Sequence, residues 1–183
     1  MVTKAAEVRI DPRVTRTQNL IRDALRALLG EKSFESISVQ DIAERATVNR
    51  ATFYAHFTDK FALLDAIIRE DLAECLADGD PFGAPDTRAM LFIVAKNVFT
   101  FVGKHAQCKL DKEFDPQFER AMEAELMDFI TPKFPECAAL LVSTAIVGSA
   151  MQWRASGRKQ PIDRVAKEIV NVLSDGVAAS AHQ

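Results

Sequence analysis

Ser38-Val-Gln-Asp41-Ile-Ala-Glu-Arg45-Ala-Thr-Val-Asn49-Arg-Ala-Thr-Phe53-Tyr-Ala-His-Phe57-Thr-Asp-Lys60-Phe-Ala-Leu-Leu64 is the stretch that decides the fold. Ser38 followed three residues later by Asp41 is a variant capping box with Asp in place of Glu, and predicts a short helix running through Ile42, Ala43 and Ala46. Asn49 is a second N-cap candidate and opens another short helix over residues 50–57. Thr47, Val48 and Asn49 leave a tight turn between the two, which is helix-turn-helix spacing. Ala43 is small enough for close helix approach, and Val48 and Phe53 are expected to share a core with Ile42 and Leu25. Arg50, Thr52, Tyr54 and His56 are then the polar positions of the second helix: a guanidinium, a hydroxyl, the single phenol of the chain and an imidazole. Such a set reaches base edges and phosphate oxygens alike, and Lys60 adds another phosphate contact at the start of the next helix.

Working outward, Leu20, Ile21, Ala24, Leu25, Leu28 and Leu29 make one face of a preceding helix, entered after Pro12 and expected to stop at Gly30. Phe34 and Ile37 cross a short loop. On the other side, Asp59 caps a fourth helix carrying Phe61, Leu63, Leu64, Ile67, Ile68 and Leu72. Residues 78–87, DGDPFGAPDT, form the clearest break. Beyond it the spacing predicts helices over 87–102, 116–130, 136–155 and 161–180, and alternating strand patterns are nearly absent. The fold class is therefore all-α, with an N-terminal domain over residues 1–69 and a second helical domain over 70–183.

The whole chain has 183 residues, 48% hydrophobic and 27% charged, a composition that supports a packed core and excludes disorder. Its net charge of −3 excludes a histone-like basic tail protein. The charge is uneven, however: residues 1–69 carry 11 Lys/Arg against 9 Asp/Glu, and residues 70–183 carry 12 against 17. The basic excess lies on the side of the helix-turn-helix, as approach to a polyanion requires. The charge-free stretch from Cys137 to Trp153 falls short of the roughly 20 apolar residues of a bilayer span. An N-terminus without an apolar run or cleavage signature gives a cytoplasmic expectation with no membrane partner. Cys75, Cys108 and Cys137 are widely spaced and odd in number, which argues against disulfides and zinc, and neither a metal nor another cofactor is expected.

The pattern Thr-Phe-Tyr-x-His-Phe-x-x-Lys-x-x-Leu over residues 52–63 resembles the DNA-binding domain of TetR-type transcriptional regulators, and the likeness extends from about Arg13 to Ile68. The resemblance implies that the second short helix enters the major groove, with Tyr54, His56 and Lys60 at phosphate-binding positions. Arg50 and Thr52 match base-reading or phosphate positions. With the flanking Ser38, Val39 and Asn49, these form the expected DNA-contacting set. One position departs from the pattern. Where such proteins usually carry Ala-Gly-Val in the turn, this chain has Ala46-Thr47-Val48, and a β-branched residue disfavours positive φ. The turn either takes another backbone conformation or carries strain.

The C-terminal run from Leu141 to Gly157 and the helix after Pro161 resemble the last two helices of one TetR subgroup, which form a four-helix dimer interface. Ala145, Gly148, Ser149 and Gln152 with Val165, Ile169 and Val172 are the corresponding interface candidates of a homodimer. By the same likeness residues 87–130 belong to an effector domain. Eight of the twelve phenylalanines follow residue 70, so an apolar or aromatic small molecule suits it, with Phe92, Asn97, Phe99, Phe101, His105, Phe118, Met122 and Gln152 as candidate pocket residues. The resulting expectation is a ligand-responsive repressor released from a palindromic operator. Other readings stand beside it: Tyr54 and His56 as a half-buried pair, the phenylalanines as plain core, Arg16 and Arg45 as solvated charges, and His105, Cys108 and Asp111 as half of a metal site. A di-metal helical enzyme lacks the required Glu-x-x-His, since Phe53, Val102 and Ala179 precede the three histidines. A helical binding module or coactivator with a lost DNA-binding role is the rival from another class, and an intact Tyr54, His56 and Lys60 speak against it.

Overall fold

A computed structural model describes residues 12–105 and 112–180, the last six of these as backbone. Among the described residues there are eight α-helices and no strand. They are α1 (Pro12–Glu31), α2 (Val39–Arg45), α3 (Arg50–His56), α4 (Lys60–Leu76), α5 (Thr87–Lys104), α6 (Phe114–Ile130), α7 (Glu136–Ala155) and α8 (Ile162–Ser180). They form two compact units divided after Leu63, inside α4.

In the first unit Ile21 and Leu25 of α1, Phe34, Ile37, Ile42 of α2, Phe53 of α3 and Leu63 of α4 are among the fully buried side chains. Phe34 lies in a single 3-10 turn, Phe34–Ser36, rather than an open loop. The expected stop at Gly30 is not found. Gly30 stays helical, α1 continues to Glu31, and the chain leaves the helix at Ser33 with φ −65° and ψ 148°. A long-range partner holds that end: both guanidinium nitrogens of Arg45 donate to the Glu31 carboxylate, at 2.8 and 2.7 Å. Arg45 therefore ties α2 to α1.

In the second unit α5 packs against α7 and α8, and α6 against α7. Leu91, Val98 and Phe99 of α5, Phe118 and Met122 of α6 and Ile146 and Val147 of α7 have no exposed surface. The helix expected from residue 116 begins at Phe114. Pro116 sits in its first turn, where the missing N–H belongs to a group that has no intrahelical acceptor anyway. Trp153, the only tryptophan, is nearly buried edge-on to Phe99 and donates its indole N–H to the Gln160 carbonyl at 2.9 Å, tying the end of α7 to the entry of α8. No helix among the described residues is long and apolar enough to cross a membrane.

Candidate nucleic-acid interface

The two short helices are fixed by their own caps. Ser38 Oγ accepts the Asp41 N–H at 3.1 Å, while Asp41 Oδ2 accepts both the Ser38 N–H and the Ser38 hydroxyl at 2.7 Å. Lys32 lies 3.1 Å from the same oxygen. The Ser38 hydroxyl, then the Ser38 amide and Lys32, hold the Asp41 carboxyl at about 2, below its usual 3.8. Asn49 Oδ1 accepts the Thr52 N–H at 2.7 Å and the Thr52 hydroxyl at 3.0 Å, capping α3.

Between the caps the turn is a Schellman motif. The Val48 N–H reaches back to the Ala43 carbonyl at 2.9 Å and the Thr47 N–H to Glu44 at 3.1 Å. That pattern requires a left-handed residue at position 47, and Thr47 has φ +57°. Of the two outcomes the sequence left open, the strained one is realised. The end of α7 closes with the same hydrogen bonds, Arg158 to Trp153 and Gly157 to Arg154, but there the left-handed position is Gly157 at φ +84°.

The face that α3 presents differs from the expected Arg50, Thr52, Tyr54 and His56. Arg50, Ala51, Tyr54 and Ala55 are exposed, Tyr54 at 49%, whereas Thr52 and His56 are half-buried and Phe53 is fully buried. A spacing of two belongs to a strand. On a helix with 3.6 residues per turn, one face collects residues 50, 51, 54 and 55. Ala51 and Ala55 were missed because only polar side chains were sought, and the helical period is the signal that finds them. The Arg50 guanidinium lies 5.9 Å from the centre of the Tyr54 ring, and that ring stands edge-on to Phe53 at 5.5 Å.

Ser38 and Thr52 spend their hydroxyls on capping bonds, and Val39 is half-buried. Lys60 is half-buried as well: its ammonium donates to the Phe34 carbonyl at 3.0 Å and the Glu35 carbonyl at 3.4 Å and lies 4.5 Å from the Phe34 ring. It closes the 3-10 turn onto the first turn of α4.

The candidate effector residues of the second unit differ in their surroundings. Phe101 and Phe118 stack at 5.8 Å with His105 beside both, and His105 Nδ1 lies 2.9 Å from the Phe101 carbonyl. Phe99 packs on Trp153, Met122 is buried, Phe92 is half-buried beneath Lys167, and Gln152 is exposed. Asn97 is committed elsewhere, its amide donating to the carbonyls of Leu76 at 3.4 Å and Asp78 at 2.9 Å, so that it caps the end of α4. Asp115 of α6 pairs with the buried Arg154 of α7 at 3.0 Å. Among the dimer candidates Ala145, Gly148, Ser149, Val165 and Ile169 are half-buried, and Val172 of α8 is 76% exposed, as Leu140 and Leu141 of α7 are also exposed. No group of three or more His, Cys, Asp or Glu among the described residues is placed to hold a metal, and Cys108 and Asp111 lie outside the described residues.

Residues 21–67 match the family described as bacterial regulatory proteins, tetR family. The chain is 26% identical over 181 residues to YxbF, an HTH-type transcriptional regulator of Bacillus subtilis (strain 168), spanning 91% of this chain and 47% of that protein. The chain thus covers about half the length of that relative. It is 26% identical over 188 residues to the HTH-type transcriptional repressor KstR2 of Rhodococcus jostii (strain RHA1), spanning 86% of this chain and 89% of that one. A solved TetR-family regulator from Streptomyces coelicolor superposes with a TM-score of 0.61 at 18% identity, covering 89% of this chain and 95% of its own. Residues 21–67, which hold the capped helix-turn-helix, are thus a domain of the kind found in the tetR family of bacterial regulatory proteins, and the described residues that follow it fold into further helices.

Proposed function

We propose that the chain is a homodimeric, ligand-responsive repressor that binds a palindromic operator through α3 and is released by a small apolar or aromatic effector. The observation that carries this reading is the exposed Arg50–Tyr54 face on a helix held by the Asn49 cap and the Schellman turn. Residues 1–69 act as the DNA-binding domain and residues 70–183 as the effector and dimerisation domain. KstR2, matched over most of its length, is a repressor, which supports that sign of regulation. The exposed Leu140, Leu141 and Val172 with the small Ala145, Gly148 and Ser149 support pairing through α7 and α8. The aromatic interior around Phe101 and Phe118 supports an apolar effector.

Two-fold pairing sets two recognition helices about one DNA turn apart, or a multiple of it. The helix α4 runs unbroken from the first unit into the second, so an effector that displaces it changes that separation. Effector and DNA affinities are then reciprocally coupled.

The test is selection of bound sequences from a random duplex library with the full chain at fixed salt. A palindrome is expected, and Arg50→Ala should relax discrimination at one base position by about 1–3 kcal/mol. Uniform weakening across all sequences would overturn base reading by Arg50.

A further inference from the structure

The exposed face of α3 consists of four side chains with two kinds of chemistry. Arg50 and Tyr54 stand one turn apart with the guanidinium over the ring, and Ala51 and Ala55 stand one turn apart beside them, both exposed. Beside them the Thr52 hydroxyl donates to the Asn49 side-chain amide oxygen, and Thr52 and His56 are half-buried on the flanks. Arg50 and Tyr54 are therefore the long hydrogen-bonding side chains of this face, and the rest of its exposed surface is the methyl groups of Ala51 and Ala55.

In the major groove the apolar group that distinguishes one base from the others is the C5-methyl of thymine, and a methyl side chain is its complement. A guanidinium steadied by an aromatic ring suits the paired acceptors O6 and N7 of guanine. We infer that Ala51 and Ala55 are specificity-determining residues that read thymine C5-methyl groups beside a guanine read by Arg50. The inference rests on the reading of α3 as the base-reading helix. Ala51 and Ala55 are separated by about 6 Å of helical rise, and base steps by about 3.4 Å, so a helix lying along the groove places the two thymines about two steps apart.

The experiment uses the full chain and the duplex recovered by selection, with each half-site thymine replaced in turn by deoxyuridine, which differs only in lacking the methyl. Loss of one buried methyl corresponds to about a fourfold loss of affinity. The expected result is that loss at two thymines per half-site, with no change at thymines outside the half-sites. Ala55→Gly should abolish the penalty at one of the two thymines, and the deoxyuridine series on the unaltered protein stands whether or not that variant folds. A selected palindrome whose affinity is indifferent to every deoxyuridine overturns the inference and leaves DNA reading by α3 intact. A library that enriches no sequence overturns the reading of α3, and the inference with it.

Discussion

Replacing Thr47 by glycine should stabilise the first unit. Thr47 sits at φ +57° because the Val48-to-Ala43 and Thr47-to-Glu44 hydrogen bonds demand a left-handed residue there. For an L-residue that conformation costs about 1–2 kcal/mol, and branching at Cβ puts Thr at the upper end. Glycine removes this cost but gains freedom in the unfolded chain worth about 0.5–1 kcal/mol. The Thr47 side chain is exposed, so little packing is forfeited. The net gain is about 1 kcal/mol. In thermal unfolding followed by circular dichroism it corresponds to about 4–8 °C if the first unit unfolds by itself, and about 2–4 °C if the whole chain unfolds together. Gly157→Ala, at the matching position of the second Schellman motif with φ +84°, is the control of opposite sign and should lower stability by about 1 kcal/mol. If Gly157→Ala destabilises while Thr47→Gly leaves the midpoint unchanged or lower, backbone strain at Thr47 is refuted.

Three further outcomes are expected. Because Asp41 is held at about 2 against an ordinary 3.8, its capping contribution is complete above about pH 4 and is lost as pH falls through about 2. An Asp41→Asn variant should flatten the acid limb of the stability profile over that window, and an unchanged limb would show that the cap does not contribute. Asp115→Ala removes one partner of the buried Arg154 and should lower the urea midpoint, and an unchanged midpoint would contradict a working pair. Lys60→Ala should weaken operator and random DNA alike, with a salt slope shallower by about 0.9. Because Lys60 also donates to Phe34 and Glu35, it should lower the unfolding midpoint too, and an unmoved midpoint would argue against that clamp.

What the sequence disclosed was local chemistry. Ser38 with Asp41, Asn49 with Thr52 and Asp59 with Ala62 are caps whose partners stand three residues away, and all three form as spacing predicts. The left-handed demand at Thr47 was visible for the same reason. Features set by distant partners were not. Gly30 can end a helix or continue one, and the helix runs on to Glu31, whose carboxylate pairs with Arg45 far along the chain. Asn97 looked available as a polar handle until the carbonyls at the end of α4 were seen to occupy it. Arg154 drew no notice because its partner lies on another helix, 39 residues earlier. On α3 the exposed face follows the helical period, so Arg50 and Tyr54 are joined on it by Ala51 and Ala55, while Thr52 and His56 lie half-buried at its edges.

Trp153 and Tyr54 are the only residues of their kinds, one in each unit. Intrinsic fluorescence therefore has one tryptophan emitter, in the second unit, and one tyrosine emitter, in the first. Excitation at the red edge of the aromatic band selects Trp153, whose indole hydrogen bond to Gln160 and contact with Phe99 make its emission a reporter of the α5–α7–α8 packing alone. Tyrosine emission comes from the exposed face of α3, so one unlabelled sample carries an emitter in each unit.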